Sequence, residues 1–111
     1  MSPSNADSDT IALIRRLAAA PDGVWTSKQA GSDMRAHNLR VDGVCEDIVK
    51  WIDAGERVKP TVLHAFKDRV GQAAWEMKPE INGVRFYLKV TVDDRDAPGE
   101  SLGILSCHPD H

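Results

Sequence analysis

Lys59, His64, Arg69, Glu76, Tyr87, Lys89 and His108 are the side chains of this sequence whose types could move a proton or hold an anion. A carboxylate, a phenol, an imidazole and ammonium groups without a metal are what phosphodiester cleavage by an internal 2′-hydroxyl asks for. One group takes the hydroxyl proton, another protonates the leaving 5′-oxygen, and cations stabilise the charge that builds on the phosphate. Other chemistries lack their motifs. The chain has no glycine-rich phosphate loop, no Cys-x-x-Cys, no His-Glu-x-x-His and no nucleophile elbow around a serine. His37, His64, His108 and His111 have no spacing that brings two of them onto one helix face, so no metal and no other cofactor is expected.

The stretch from Trp75 to Val92 must position most of these groups. Val84, Phe86, Leu88, Val90 and Val92 are apolar, whereas Arg85, Tyr87, Lys89 and Thr91 are not. A period of two puts the two sets on opposite faces of a β-strand. Asn82-Gly83 suits the positive φ angles of a tight hairpin turn, so residues from about Ala73 to Glu80 should return as the antiparallel neighbour. Trp75 and Met77 then point inward with the apolar set, and Glu76 joins the polar face. On that face Arg85 and Lys89, with Arg69, are candidate substrate-binding cations. A last strand from Ser101 to about His108 alternates with Ile104, Ser106 and His108 on one side and Gly103, Leu105 and Cys107 on the other, so Ser106 and His108 can join the polar face too. The alternative is a solvated outer face, with Glu76 in a cross-strand ion pair with Lys89 or Lys78 and the Tyr87 hydroxyl in water. Trp25, Trp51 and Trp75 each fall in an apolar register, which reads as core rather than as stacking platforms for bases.

Helices precede these strands. Ser8 or Asp9 can cap a first helix carrying Ile11, Ile14, Leu17 and Ala18, which stops at Pro21-Asp22-Gly23. Val24-Trp25-Thr26 reads as a short extended piece, and Ser27 as the cap of a second helix through about His37, with Asn38 as a left-handed terminator. A third helix should start near Asp42, with Val44, Ile48, Trp51 and Ile52 in one stripe and Gly55 at its end. Glu56 to Gln72 is either a short helix begun by Pro60, with Val62, Leu63, Phe66 and Val70 inward, or a loop. Asp93 to Glu100 reads as an acidic turn. Helices first and strands second predict an α+β domain, with the helices packed on one face of a C-terminal antiparallel sheet.

At 111 residues the chain makes one domain, from about residue 8 onward behind a polar, mobile residue 1–7 segment. No apolar run approaches the roughly 18 residues of a membrane span, and MSPSNADSDT does not resemble a secretory signal, so a cytoplasmic location is expected. Cys45 and Cys107 sit among apolar residues as small buried thiols would, which fits a reducing compartment. The net charge of −3 argues against simple binding to a phosphate backbone. The charge is segregated, however. Residues 54–91 hold seven basic groups (Arg57, Lys59, Lys67, Arg69, Lys78, Arg85, Lys89) against four acidic ones, so they carry +3 and the rest carries −6. Such a chain can present a cationic cleft to an anionic ligand despite its acidic total.

The run VDGVCEDIVKWI followed by ERVKPT, then W-E-M-K-P, G-V-R-F-Y-L-K-V-T-V and a final LGILSCH, resembles the motility quorum-sensing regulator (MqsR) toxins of bacterial toxin–antitoxin systems. The resemblance covers roughly residues 22–108 and rests most on the tyrosine-leucine-lysine strand together with the helix before it. It implies a fold like the RelE group of RNases and metal-independent, sequence-preferring cleavage of messenger RNA. It also implies neutralisation by a cognate antitoxin. The mRNA and that antitoxin are the expected partners. The oligomeric state, a homodimer included, stays open. Lys59 matches the family's loop lysine and Tyr87 its strand tyrosine. Glu76 stands where the family has glutamine, and His108 where it has a terminal lysine. The alternative is a catalytically inactive relative that serves as a protein-interaction module.

Overall fold

Local chemistry marks the helix boundaries in the computed structural model, which describes residues 5–64 and 69–110. Helix α1 spans Ser8–Ala18, and its cap is Asp7 rather than Ser8 or Asp9, with the carboxylate accepting from the Thr10 amide at 3.2 Å. Asn5–Asp7, expected to be mobile, are tied down. The Ala6 amide donates to the Val58 carbonyl at 2.8 Å, and the Asn5 side-chain oxygen accepts from the Val58 amide at 2.9 Å. The rest of the expected mobile segment, residues 1–4, lies outside the described residues.

A single 3-10 turn at Pro21–Gly23 and a two-residue strand β1, Trp25–Thr26, lead to α2, Lys28–Ala36. Ser27 caps α2 as its position predicts. Its hydroxyl oxygen accepts from the Ala30 amide at 3.0 Å and its proton goes to the Leu105 carbonyl at 2.9 Å. Asn38 takes the left-handed conformation, φ 57°. Helix α3, Val41–Asp53, buries Val44, Cys45 and Ile48, while Trp51 and Ile52 at its end are only half-buried.

The remaining strands are β2 (Lys59–Val62), β3 (Ala73–Met77), β4 (Glu80–Ile81), β5 (Val84–Asp93) and β6 (Ser101–Pro109). Their order is β1-β6-β5-β3-β2, with β4 on β5 and only the β1–β6 pair parallel. The molecule is thus an α+β fold of three N-terminal helices packed against a six-stranded, mostly antiparallel sheet. Asn82 and Gly83 sit at φ 53° and 80°, the paired positive values of a two-residue type I′ turn. Met77 opposite Leu88 and Glu80 opposite Arg85 lie on one register, so β3 and β4 are one hairpin arm interrupted at Lys78–Pro79. Pro79 lacks the amide proton that a ladder uses.

Two expectations about the strands are corrected as well. Lys59–Val62 is neither helix nor loop but an edge strand on β3, where Pro60 is tolerated because its missing amide can face away from the partner strand. Among the described members of its expected inward set only Leu63 is buried. Val62 and Val70 are 47% and 64% exposed, and Phe66 lies outside the described residues. In β6 the alternation slips by one. Lys89 pairs with Ser106 but Val90 with Ile104, so a bulge absorbs Leu105. Ile104 therefore faces the helices, while Leu105 joins Leu63, Ala74 and Trp25 in a small cluster of its own.

The main core packs Ile14, Met34, Val44 and Ile48 against Trp75, Met77, Leu88 and Ile104, and both free cysteines are buried in it. Burial pushes the Cys45 thiol up to about 11 and the Cys107 thiol up to about 12. An unfolded thiol ionises near about 8.5, so above that pH the unfolded chain releases these protons first and stability falls. The expected cost is about 1.4 kcal/mol per thiol for each pH unit above about 8.5, until the folded values are reached. Urea unfolding followed against pH checks this. Cys107→Ala should flatten the alkaline slope, whatever it does to stability at neutral pH.

Candidate active site

Strand register assembles the polar groups. Lys59 lies opposite Glu76, Glu76 opposite Lys89, and Lys89 opposite Ser106, which makes one row across four strands. Tyr87, two residues from Lys89 on β5, lies opposite His108. Since neighbours across a sheet share a face, all six point away from the helices. The Tyr87 hydroxyl donates to Glu76 Oε2 at 2.6 Å, and Lys59 Nζ stands 3.9 Å from Glu76 Oε1. The His108 and Tyr87 ring centroids are 5.3 Å apart, and Lys89 Nζ is 5.8 Å from the centre of the Tyr87 ring. Lys59, Glu76, Tyr87 and His108, the four candidate catalytic residues, therefore form one cluster with Lys89.

The electrostatics distinguish their roles. Burial, then the hydrogen bond to Glu76 and the charges of Glu76 and Asp110, drive the Tyr87 phenol far above its ordinary value. Tyr87 keeps its proton and acts as a donor, not as a base. Since it is the chain's one tyrosine, its titration can be followed directly. Phenolate absorbance should fail to appear near pH 10, where free tyrosine ionises, and should appear only as the fold is lost. Glu76→Gln, which removes the nearby charge, should shift the titration downward. The His108 Nδ1 lies 3.0 Å from the Pro109 carbonyl oxygen, which can only accept. That contact places a proton on Nδ1 and leaves Nε2 for a substrate atom.

The other sequence candidates divide. Arg85, two residues beyond Tyr87 on the same face, lines a cleft of about 310 Å³ together with Lys59 and Glu76. Arg69 is elsewhere. Its guanidinium binds Asp93 through two bonds of 2.7 and 3.2 Å and lies 4.6 Å from the centre of the Trp25 ring. Asp93 is four residues from Lys89 along β5, about 13 Å at the usual strand rise. The Arg69 guanidinium, helped by Gln72 and Trp25, holds the Asp93 carboxyl below its ordinary range. This group anchors one end of the outer face, and it is distinct from the cluster around Glu76. His64 is exposed beyond the end of β2. His111 and Lys67 lie outside the described residues.

The sequence reading set Trp51 aside as core and gave Arg57 no role, yet both line the cleft beside Glu76. The available signal was position. Trp51 is in the last turn of α3, where a helix runs past the sheet it covers. Among the described residues, no group of three His, Cys, Asp or Glu side chains is placed to hold a metal ion, and no helix is long and apolar enough to cross a membrane. Compared with known families, curated proteins and solved structures, the chain matches no family model, no curated protein and no solved structure.

Proposed function

We propose that this protein is a metal-independent, sequence-preferring endoribonuclease toxin of the MqsR type, with a RelE-like fold. It would cut messenger RNA in the cytoplasm and be neutralised by a cognate antitoxin. The observation that carries the reading is the cluster itself: a carboxylate bonded to a proton-retaining tyrosine, an imidazole against that tyrosine, and two ammonium groups on one face. Glu76 takes the proton of the 2′-hydroxyl, and the 2′-oxygen attacks the adjacent phosphorus. The bond from phosphorus to the 5′-oxygen breaks, and His108, as imidazolium, gives that oxygen its proton through Nε2. Lys59 and Lys89 offset the negative charge that grows on the phosphate oxygens. Tyr87 holds Glu76 in place and offers its hydroxyl to the phosphate as the carboxylate becomes protonated.

Single-stranded RNA incubated with the folded protein in EDTA should give fragments ending in 2′,3′-cyclic phosphate. A 2′-deoxy substitution at the cut position should block that cut. Intact RNA after incubation with micromolar folded protein would end the reading.

One observation favours the second reading, a catalytically inactive interaction module. Both Glu76 oxygens already face partners, Tyr87 and Lys59, as those of a structural carboxylate would. Induced expression separates the two. The toxin arrests growth and Tyr87→Phe relieves the arrest, whereas the module leaves growth unchanged.

A further inference from the structure

The cleft beside Glu76 lies between the end of α3 and the β3–β5 hairpin, and its lining reverses the sign of the chain. Arg57, Lys59, Lys78 and Arg85 face Glu56 and Glu76 there, a balance of +2 in a protein of −3. Lys59 has Glu76 at 3.9 Å and Lys78 has Asp110 at 3.6 Å, but among the described residues neither Arg57 nor Arg85 forms an ion pair. Two guanidinium groups without carboxylate partners thus open on one concave surface. Concave, low-dielectric walls strengthen the field such groups present to an anion.

Trp51 supplies the other half of the site. It is half-buried, and its indole N–H, the ring's single donor, is already given to the Arg57 carbonyl at 2.9 Å. That bond fixes the ring and ties it to Arg57, one of the two cleft arginines. With its donor used, the ring offers the cleft only apolar and π surface, which any base can pack against. A second groove, about 350 Å³, shares Trp51, Glu56, Lys78 and Arg85 with the first, but there Asp47, Glu56 and Glu80 balance Lys50, Lys78 and Arg85, so the cationic surplus belongs to the first cleft.

We infer that this cleft is a nucleotide subsite for single-stranded RNA: one base packs on Trp51 while the adjoining phosphate lies between Arg57 and Arg85, next to the bond that Glu76 works on. The inference rests on the ribonuclease reading of the Glu76 cluster, but the binding itself needs no cleavage. Stacking and phosphate contacts carry little base identity, so the subsite sets affinity and the register of the strand rather than the cut sequence.

The test is equilibrium binding of a short, uncleavable 2′-O-methyl oligoribonucleotide across a salt series, with the cleavable twin assayed in parallel. Arg57→Ala combined with Arg85→Ala should weaken binding at least about 10-fold and make the log affinity against log salt slope shallower by about 0.7, the value for one phosphate contact on a single strand. Trp51→Leu should weaken it about 10-fold and Trp51→Phe much less. Because Trp51 also holds the backbone at Arg57, a second measurement leaves the protein untouched. Removing one base at a time from the oligonucleotide should reveal a position whose loss lowers wild-type affinity about 10-fold. A folded double-arginine variant with unchanged affinity and salt slope, a series with no such position, or a wild-type protein that does not bind the oligonucleotide would each overturn the subsite. Binding as described with the cleavable twin left intact would instead remove the ribonuclease reading and keep the subsite. Cleavage with unchanged binding by the variants would do the reverse.

Discussion

Glu76→Gln is expected to lower the turnover of RNA cleavage by about 10²–10⁴-fold, the usual contribution of a positioned general base. The substitution keeps the shape, and the amide oxygen can still accept the 2.6 Å hydrogen bond from Tyr87, so the fold should survive. On the proposed ribonuclease reading, what goes is the group that takes a proton from the 2′-hydroxyl. Binding should move the other way. A carboxylate between Lys59 and Lys89 repels the phosphate that those lysines attract, and an amide does not. A unit charge at a contact distance of about 6 Å in water-like dielectric is worth about 0.7 kcal/mol, so the variant should bind uncleavable RNA about threefold more tightly while cutting it more slowly. A purely structural Glu76 predicts no such split, because weaker packing would loosen binding. Unchanged turnover in the glutamine variant would transfer the base role to His108 Nε2 and leave Glu76 as the holder of Tyr87.

The site was legible in the sequence to the extent that its geometry is local. The alternation from Val84 to Val92 placed Tyr87 and Lys89 on one face, and the Asn82-Gly83 turn fixed the register that puts Glu76 beside them. The Ser27 cap and the Asn38 terminator were also readable, because each acts within one turn of its own helix. Lys59 was different. Its place beside Glu76 depends on the pairing of β2 with β3, a long-range match, and a short run containing Pro60 reads equally well as a helix start. Residue type made Lys59 a candidate, but nothing local placed it opposite Glu76. The Leu105 bulge was illegible for a related reason, since a period-two reading assumes that no residue is absorbed. Arg69 shows the limit of counting charges. It contributes to the basic segment in sequence, yet in the fold its guanidinium is bound to Asp93 and lies over Trp25.

Gly103→Ala should be among the most damaging single substitutions in the protein, although it adds one methyl group to a strand. Gly103 is buried in β6, level with Trp25 on β1, and the indole lies over the place where a side chain would start. A Cβ built there would fall 2.6 Å from Trp25 Cη2 and nearer still to Cζ2 and Cε2, far inside van der Waals contact. The ring has little room to withdraw. The Arg69 guanidinium lies 4.6 Å from its centre on two bonds to Asp93, and Leu63, Ala74 and Leu105 form the cluster it packs against. Overpacking in such a site costs about 3 kcal/mol or more, and Gly103→Val should prevent folding. Urea unfolding measures the alanine variant. A double-mutant cycle with Trp25→Leu then tests the cause, because removing the ring should make Gly103→Ala much less costly, with an interaction energy of about 2 kcal/mol. If Gly103→Ala loses under about 1 kcal/mol in the parent, the ring is free to move and the outer-face anchor is weaker than its bonds suggest. If the cycle closes with no interaction, the cost lies in the strand itself and not in the packing of Trp25 on glycine.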